Sequence, residues 1–380
     1  MADQPRSIVI DGLSALQGGG QTYLINLFRF LPERFSESLR VIAVIPESGD
    51  MFKVNDQIEY VQSSFASGGL VRRMIWSKFR LPALLRQTGA RVLYCPGGFV
   101  STFGRGWKTA VAFRNMLPFS DEERRRYPYG YTRSRLAFLK YIQSRSFRRA
   151  NLVVFISQFA KSIIDIVVGP RAGKAVVIPH GVNDRFREPS GMNAGLSLPD
   201  RYVAYVSIVT VYKAQLEVVR AWALMRLARR SSEKLLLVGP SHHEYEERVR
   251  ELIIDLGLQN VVILLGDVPY DALPAVYQGA VANIFASSCE NCPNILLEAL
   301  AAGRPVLCSD YQPMPEFAGD AALYFDPYNP RSLATRLCEV LDDPRLSVEL
   351  GRRSRERSAE FQWKRSAEAT WQALSDLAGG

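Results

Sequence analysis

Two carboxylates survive in an apolar stretch in the second half of the chain, and that stretch constrains the fold more than any other. Residues 287–310 read SSCENCPNILLEALAAGRPVLCSD. They divide into a loop closing on Pro293, a helix with a broad apolar face (Ile295, Leu296, Leu297, Ala299, Leu300) and a short buried strand at 306–308. Residues 280–286 before them are apolar enough for a strand. Pro293 suits the first position of the helix, and Gly303 with Pro305 ends it. A strand–loop–helix–strand unit of this kind belongs to a parallel α/β sheet. Glu290 lies in the loop and Glu298 inside the helix. The first helical turn carries unpaired amides and partial positive charge, a ready seat for phosphate. Carboxylates at either end of it could accept hydroxyls on both sides of a diphosphate. A capped helix with two solvated glutamates has the same spacing.

Glu-x7-Glu followed by Ala-Leu-Ala-Ala-Gly-Arg-Pro-Val and Ser-Asp resembles the donor-site signature of the family-4 glycosyltransferases, retaining enzymes of the GT-B fold. The resemblance implies that Glu290 faces the transferred sugar, that Glu298 holds the ribose, and that the backbone of Asn294, Ile295 and Leu296 meets sugar and phosphate. Asn291 and Cys292 stand where the commoner loop has Gly-Phe.

The first segment, SIVIDGL, reads as a strand; Gly18, Gly19 and Gly20 form a glycine turn, and QTYLINLFRFL a helix. This layout brings backbone amides close to a ligand, but it lacks the G-x-G-x-x-G spacing of a dinucleotide site. In the family it resembles, this loop lines the cleft. Further strands are expected at 39–46, 58–63, 91–96, 108–115, 151–157 and 174–182. Strand–helix alternation without hairpin signals argues for doubly wound parallel sheets. VVFISQFAKS…VVIPHGV is similar to the segment closing the family's N-terminal domain. Many members carry a His-Asp pair where this chain holds Arg114 and Asn115, and an arginine cannot serve as a general base.

The expected organisation is an acceptor-side domain over 1–186, a linker over 187–199, a nucleotide-sugar domain over 200–360, and a helix over 361–380 returning to the first domain. In the second half, Lys213 sits between a strand (201–209) and a helix, where a cation can meet phosphate. The resemblance gives it the donor diphosphate, with Ser207 beside it. The arginine that often precedes this lysine is missing, since 207–212 holds no basic residue.

The 380 residues are 47% hydrophobic and 22% charged, a globular composition with room for two domains. The start, MADQPRSIVIDG, has no signal-peptide pattern, and five scattered cysteines suit a reducing cytoplasm. Cys289 and Cys292 form a CxxC without a second ligand pair, and the three histidines show no metal spacing. No metal or other cofactor is expected; Lys213 and helix N-termini can stabilise the leaving diphosphate.

Between residues 61 and 150 stand 18 basic and three acidic residues, a balance of +15 in a chain whose net charge is +9. Aromatic and apolar residues are interleaved (Met74, Trp76, Phe79; Tyr127, Tyr129, Tyr131, Phe138). An anionic membrane surface is the expected partner, and nucleic acid is not, since no recognition motif accompanies the charge. The expected protein is thus a transferase taking sugar from a UDP- or GDP-linked donor to a saccharide or lipid-linked acceptor of bacterial surface polysaccharide, cytoplasmic or peripheral on the inner membrane face. A basic membrane- or nucleic-acid-binding protein on a degenerate form of the fold, or an epimerase or phosphorylase of that fold, are the alternatives.

Overall fold

A computed structural model describes residues 6–14, 19–36, 38–66, 72, 75–189, 195–241 and 243–379. The chain forms two units. One contains residues 1–181 and 363–380, the other 182–362.

The first unit is built on a parallel seven-stranded sheet: β1 (Arg6–Asp11), β2 (Leu39–Pro46), β3 (Ile58–Ser63), β4 (Ala90–Cys95), β5 (Lys108–Phe113), β6 (Leu152–Phe155) and β7 (Lys174–Val177), in the order 3-2-1-4-5-6-7. β1 and β2 run in register from Arg6 opposite Leu39 to Asp11 opposite Val44. The central strands are continuous apolar runs because helices cover both faces. Helix α1 (Gly19–Arg29) follows β1 and buries Tyr23, Leu24, Leu27 and Phe28. Helix α2 (Tyr131–Arg149) lies between β5 and β6 and buries only Leu136, Gln143, Ser146 and Phe147 of its 19 residues.

The second unit repeats the plan with six parallel strands: β8 (Tyr202–Val206), β9 (Lys234–Val238), β10 (Val262–Gly266), β11 (Ala282–Phe285), β12 (Val306–Ser309) and β13 (Ala322–Phe325), in the order 10-9-8-11-12-13. The order reverses between β8 and β11. Ligands of open α/β sheets bind at the carboxyl ends of strands at such a point. Helices α3 (Gln215–Ala228) and α4 (His243–Asp255) follow β8 and β9, and α5 (Asn294–Ala301) follows β11. The last helix, α6 (Trp363–Gly379), returns to the first unit.

These sheets are the doubly wound architecture expected, and strands β2 and β3 fall on the residues anticipated for them. Two boundaries differ. The chain leaves the first unit at Gly181, ahead of the anticipated linker at 187–199. Val182 bonds its amide to the Phe361 carbonyl, and Phe186 is fully buried in the second core, so the chain is already anchored in the second unit before the polar stretch at 187–199 begins. Residues 190–194 of that stretch lie outside the described residues. Pro293 is the N-cap of α5 rather than its first residue: its carbonyl accepts the Leu297 amide at 3.1 Å.

Helix α6 completes the first core. Trp363, Ala367, Trp371, Leu374 and Ala378 form one buried stripe, and the Trp371 indole donates to the Leu27 carbonyl of α1 at 2.9 Å. Trp371→Ala is expected to lower the unfolding free energy of this unit by about 3–5 kcal/mol, through the cavity and the orphaned carbonyl. Denaturant titration checks this; a loss under about 1 kcal/mol would show that α6 is dispensable to the core.

Candidate functional site

The loop after β11 and the turn after β8 are locked together at the reversal point of the second sheet. β8 leads into a 3-10 turn, Val211–Lys213, and then into α3 through Ala214. Ala214 has φ +55°, the only positive φ of a non-glycine residue among those described. An L-residue held there costs on the order of 1–3 kcal/mol, and such strain persists where its surroundings over-determine it. The surroundings are visible. Tyr205 donates its hydroxyl to the Lys213 carbonyl at 2.6 Å, and Ser288 bonds the Tyr212 carbonyl through its amide at 2.9 Å and its hydroxyl at 3.1 Å.

The result fixes the Lys213 side chain, which is 4% exposed. Its ammonium is ion-paired with Glu290 Oε1, and lies 5.2 Å from the ring centres of both Tyr212 and Phe285. Glu290 Oε1 also accepts from the Ser287 hydroxyl at 2.7 Å. The sequence assigned Lys213 and Glu290 to different parts of a ligand; the structure brings them into contact. Cys289 and Cys292, flanking Glu290 and Asn291, form no disulfide.

Helix α5 begins at Asn294, two residues after Cys292, with no side chain capping it. The Asn294 amide bonds the Cys292 carbonyl at 3.0 Å, which leaves Ile295 and Leu296 as the next first-turn amides. The Leu296 side chain is fully buried in the core, so only its backbone could serve a ligand. Ser207, at the end of β8, is buried and donates its hydroxyl to the Ile208 carbonyl at 3.1 Å.

Glu298, one turn into α5, is 8% exposed. Its two oxygens accept from the hydroxyls of Tyr270 at 3.2 Å and Tyr277 at 3.3 Å. Burial pushes its carboxyl up to about 7, with the two tyrosine hydrogen bonds acting in the opposite direction. Neither tyrosine was singled out by sequence. They sit 28 and 21 residues before Glu298, and only the fold shows the convergence.

In the first unit, a polar cluster gathers at the carboxyl ends of β1, β4 and β5. The hydroxyls of Tyr23 and Tyr94 share a 2.6 Å hydrogen bond, and the Arg114 guanidinium lies 5.0 Å from the centre of the Tyr23 ring. Arg114 donates to the Gly20 carbonyl at 3.4 Å, so the glycine turn and Arg114 do meet. Gly19 and Gly20 form the start of α1, while Gly18 lies outside the described residues. Asn115 has a local role: its side-chain oxygen accepts the Leu117 amide at 3.1 Å and shapes the turn after β5. His180 stacks on Tyr23 at 5.4 Å, and Ser101 donates to the buried Asp11. Asp11, Tyr23, Tyr94, Ser101 and His180 were missed from sequence, where each stands alone.

Residues 17–186 match the family described as Glycosyltransferase Family 4, and residues 193–357 that described as Glycosyl transferases group 1. The chain is similar to D-inositol 3-phosphate glycosyltransferase of Corynebacterium efficiens, 30% identical over 53% of this chain and 48% of that protein. It thus spans about half the length of the curated relatives of that name. It is 24% identical to O-antigen chain mannosyltransferase B of Escherichia coli, over 66% of this chain and 67% of that one. The crystal structure of Anabaena HepE in complex with UDP and glucose shares its fold, with a TM-score of 0.73 and 18% identity over 98% of this chain and 100% of that one.

The raised pKa of Glu298 makes stability depend on pH with a definite sign. Between its ordinary value of 4.5 and about 7 the folded protein keeps the proton and the unfolded chain releases it. The associated stability is therefore complete below about pH 4.5 and lost as pH rises through 7. Glu298→Gln, which cannot ionise, is expected to gain stability relative to wild type between pH 5 and pH 8. Denaturant unfolding at the two values reads this; a wild-type-minus-variant difference independent of pH would contradict it.

Proposed function

Because the chain belongs to glycosyltransferase family 4, its two units carrying that family's two halves, we propose that it moves a sugar from a UDP- or GDP-linked donor to a saccharide or lipid-linked acceptor, with retention. The observation that carries this reading is the Lys213–Glu290 pair at the uncapped start of α5, with Glu298 one turn further along. Breakage of a nucleotide-sugar bond builds negative charge on the leaving diphosphate, and preorganised positive charge at that position stabilises it. Lys213 and the first amides of α5 supply that charge without a metal ion. The incoming diphosphate takes Lys213 from Glu290, and the released carboxylate then faces the cation-like anomeric carbon. Glu298 accepts the ribose hydroxyls at the other end. The intact pair argues against a binding-only protein on a degenerate form of the fold.

The relatives' names, an inositol phosphate enzyme and an O-antigen mannosyltransferase, support assembly of bacterial surface polysaccharide or glycolipid. Arg114 at the glycine turn is suited to an anionic acceptor. Product detection by mass spectrometry, from a panel of nucleotide sugars with a lipid-diphosphate extract, tests the reading; no added hexose mass with any donor would sink it. Glu290→Gln is expected to abolish transfer and spare nucleoside diphosphate affinity. Lys213→Ala is expected to lose roughly one to two decades of that affinity, and far less for the nucleoside. Calorimetry showing equal losses for diphosphate and nucleoside would make Lys213 structural.

The acceptor is met, in this proposal, at an anionic membrane on the cytoplasmic side. No described helix is long and apolar enough to cross a bilayer. Helix α2 and the turn before it instead expose Tyr129 (88%), Tyr131 (83%), Tyr141 (64%) and Phe138 (60%) among arginines. Basic residues near an anionic leaflet contribute about 1 kcal/mol each, and inserted aromatic rings add to that. The other basic cluster includes Arg73 and Met74, which lie outside the described residues. Sedimentation with vesicles is expected to need anionic lipid, to weaken with salt, and to fall at least tenfold in an Arg135→Glu/Arg145→Glu/Phe138→Ser/Tyr141→Ser variant. Binding indifferent to all three would end the membrane proposal.

A further inference from the structure

A cavity of about 250 Å³ opens at the carboxyl ends of β8, β9 and β10, on the β8 side of the reversal point. It is smaller than the roughly 300–1,000 Å³ of a site enclosing a whole drug-sized ligand, and suits one planar heterocycle. Val209, Leu237 and Leu264 contribute apolar lining, Gly239 and Gly266 contribute bare backbone, and Asp267 and Glu246 contribute carboxylates. The bare backbone is enforced. Gly239 has φ +137°, and a Cβ there would stand 2.4 Å from the Ser207 carbonyl oxygen. The Gly239 amide bonds the Gly266 carbonyl at 2.8 Å, and the Val209 amide bonds the Pro240 carbonyl at 2.9 Å, so the three strand ends are tied into one rigid rim.

The two carboxylates differ. Glu246 is ion-paired with Arg250 on the next turn of α4. Asp267 is exposed and has no ion-pair or hydrogen-bond partner among the described residues. Three residues beyond Asp267 stands Tyr270, whose hydroxyl holds Glu298 at 3.2 Å. The cavity wall and the proposed ribose carboxylate are therefore joined by one short piece of backbone.

Resting on the donor reading above, we infer that this cavity receives the nucleobase and that Asp267 selects guanine, making the donor a GDP-sugar. A carboxylate only accepts hydrogen bonds. The edge of guanine presents N1–H and the 2-amino N–H side by side, and the two carboxylate oxygens can take both in a charge-assisted, bidentate arrangement. Uracil offers one N–H between two carbonyl oxygens, and adenine an acceptor nitrogen beside its amine. Each of these sets lone pairs against the carboxylate, a repulsion that discriminates as effectively as the attraction to guanine. The apolar and glycine lining supplies a surface for the ring, with Ser241 and the ion-paired Glu246 as the other polar groups of the wall.

Calorimetric titration of the wild-type protein and of Asp267→Asn with GDP, IDP, UDP and ADP tests this. IDP has the guanine ring without its 2-amino group, so it removes one of the two bonds without touching the protein. In wild type, GDP is expected to bind about ten- to a hundredfold more tightly than IDP, with UDP and ADP weaker still. In Asp267→Asn the GDP–IDP gap is expected to close. UDP or ADP binding as tightly as GDP would overturn the inference and leave the donor reading intact. So would a GDP–IDP gap that survives Asp267→Asn. Failure of all four nucleotides to bind would instead remove the donor reading, and the inference with it.

Discussion

A lysine ammonium buried against a glutamate is the interaction on which the rest of this site depends. Removing two charges from water costs several kcal/mol per ion, and their attraction offsets that only when position and secondary hydrogen bonds are good. The second unit provides both. Tyr205 holds the Lys213 carbonyl, Ser287 bonds Glu290, Ser288 fastens the loop to the turn, and Ala214 is held in a left-handed conformation to pass from the turn into α3. A hydrophobic pair of the same volume would be no less stable, so stability alone does not account for these charges. A ligand that replaces one partner does. In the function proposed above, the negatively charged diphosphate of a nucleotide sugar takes the place of Glu290 beside Lys213 and frees that carboxylate.

The same economy is seen at Glu298. Burial alone would leave this group largely protonated near neutrality, and two tyrosine hydroxyls partly offset that. A carboxylate has about four acceptor positions, so hydroxyls of a ribose can be added to those of Tyr270 and Tyr277. The parallel sheet makes these convergences possible. It brings the ends of β8, β10 and β11 to one edge, although Lys213, Tyr270 and Glu290 are separated by 57 and 20 residues in sequence.

Much of this was legible in the sequence because parallel strands buried on both faces write themselves as apolar runs. Residues 39–46 and 58–63 are strands as read, and Glu-x7-Glu before an apolar helix marked the loop, the helix and both carboxylates. What was not legible depends on contacts distant in sequence. The Lys213–Glu290 pair spans 77 residues, and no local pattern distinguishes Tyr270 and Tyr277 from ordinary core tyrosines. Local chemistry misled at the unit boundary, where the polar character of 187–199 hid the anchoring of Val182 and Phe186. It also concealed the ordinary role of Asn115, which is spent on its own turn.

The direct measurement is a double-mutant cycle of Lys213→Met and Glu290→Gln on unfolding free energy, made without ligand and again with saturating nucleoside diphosphate. Each single change strands a buried charge, at a cost of about 3–5 kcal/mol, while the double change strands none. The predicted result is a coupling of at least about 1–2 kcal/mol in the empty protein that shrinks when the nucleotide takes over Lys213. Additive single changes, or a coupling of the same size with and without nucleotide, would contradict the exchange of Glu290 for diphosphate.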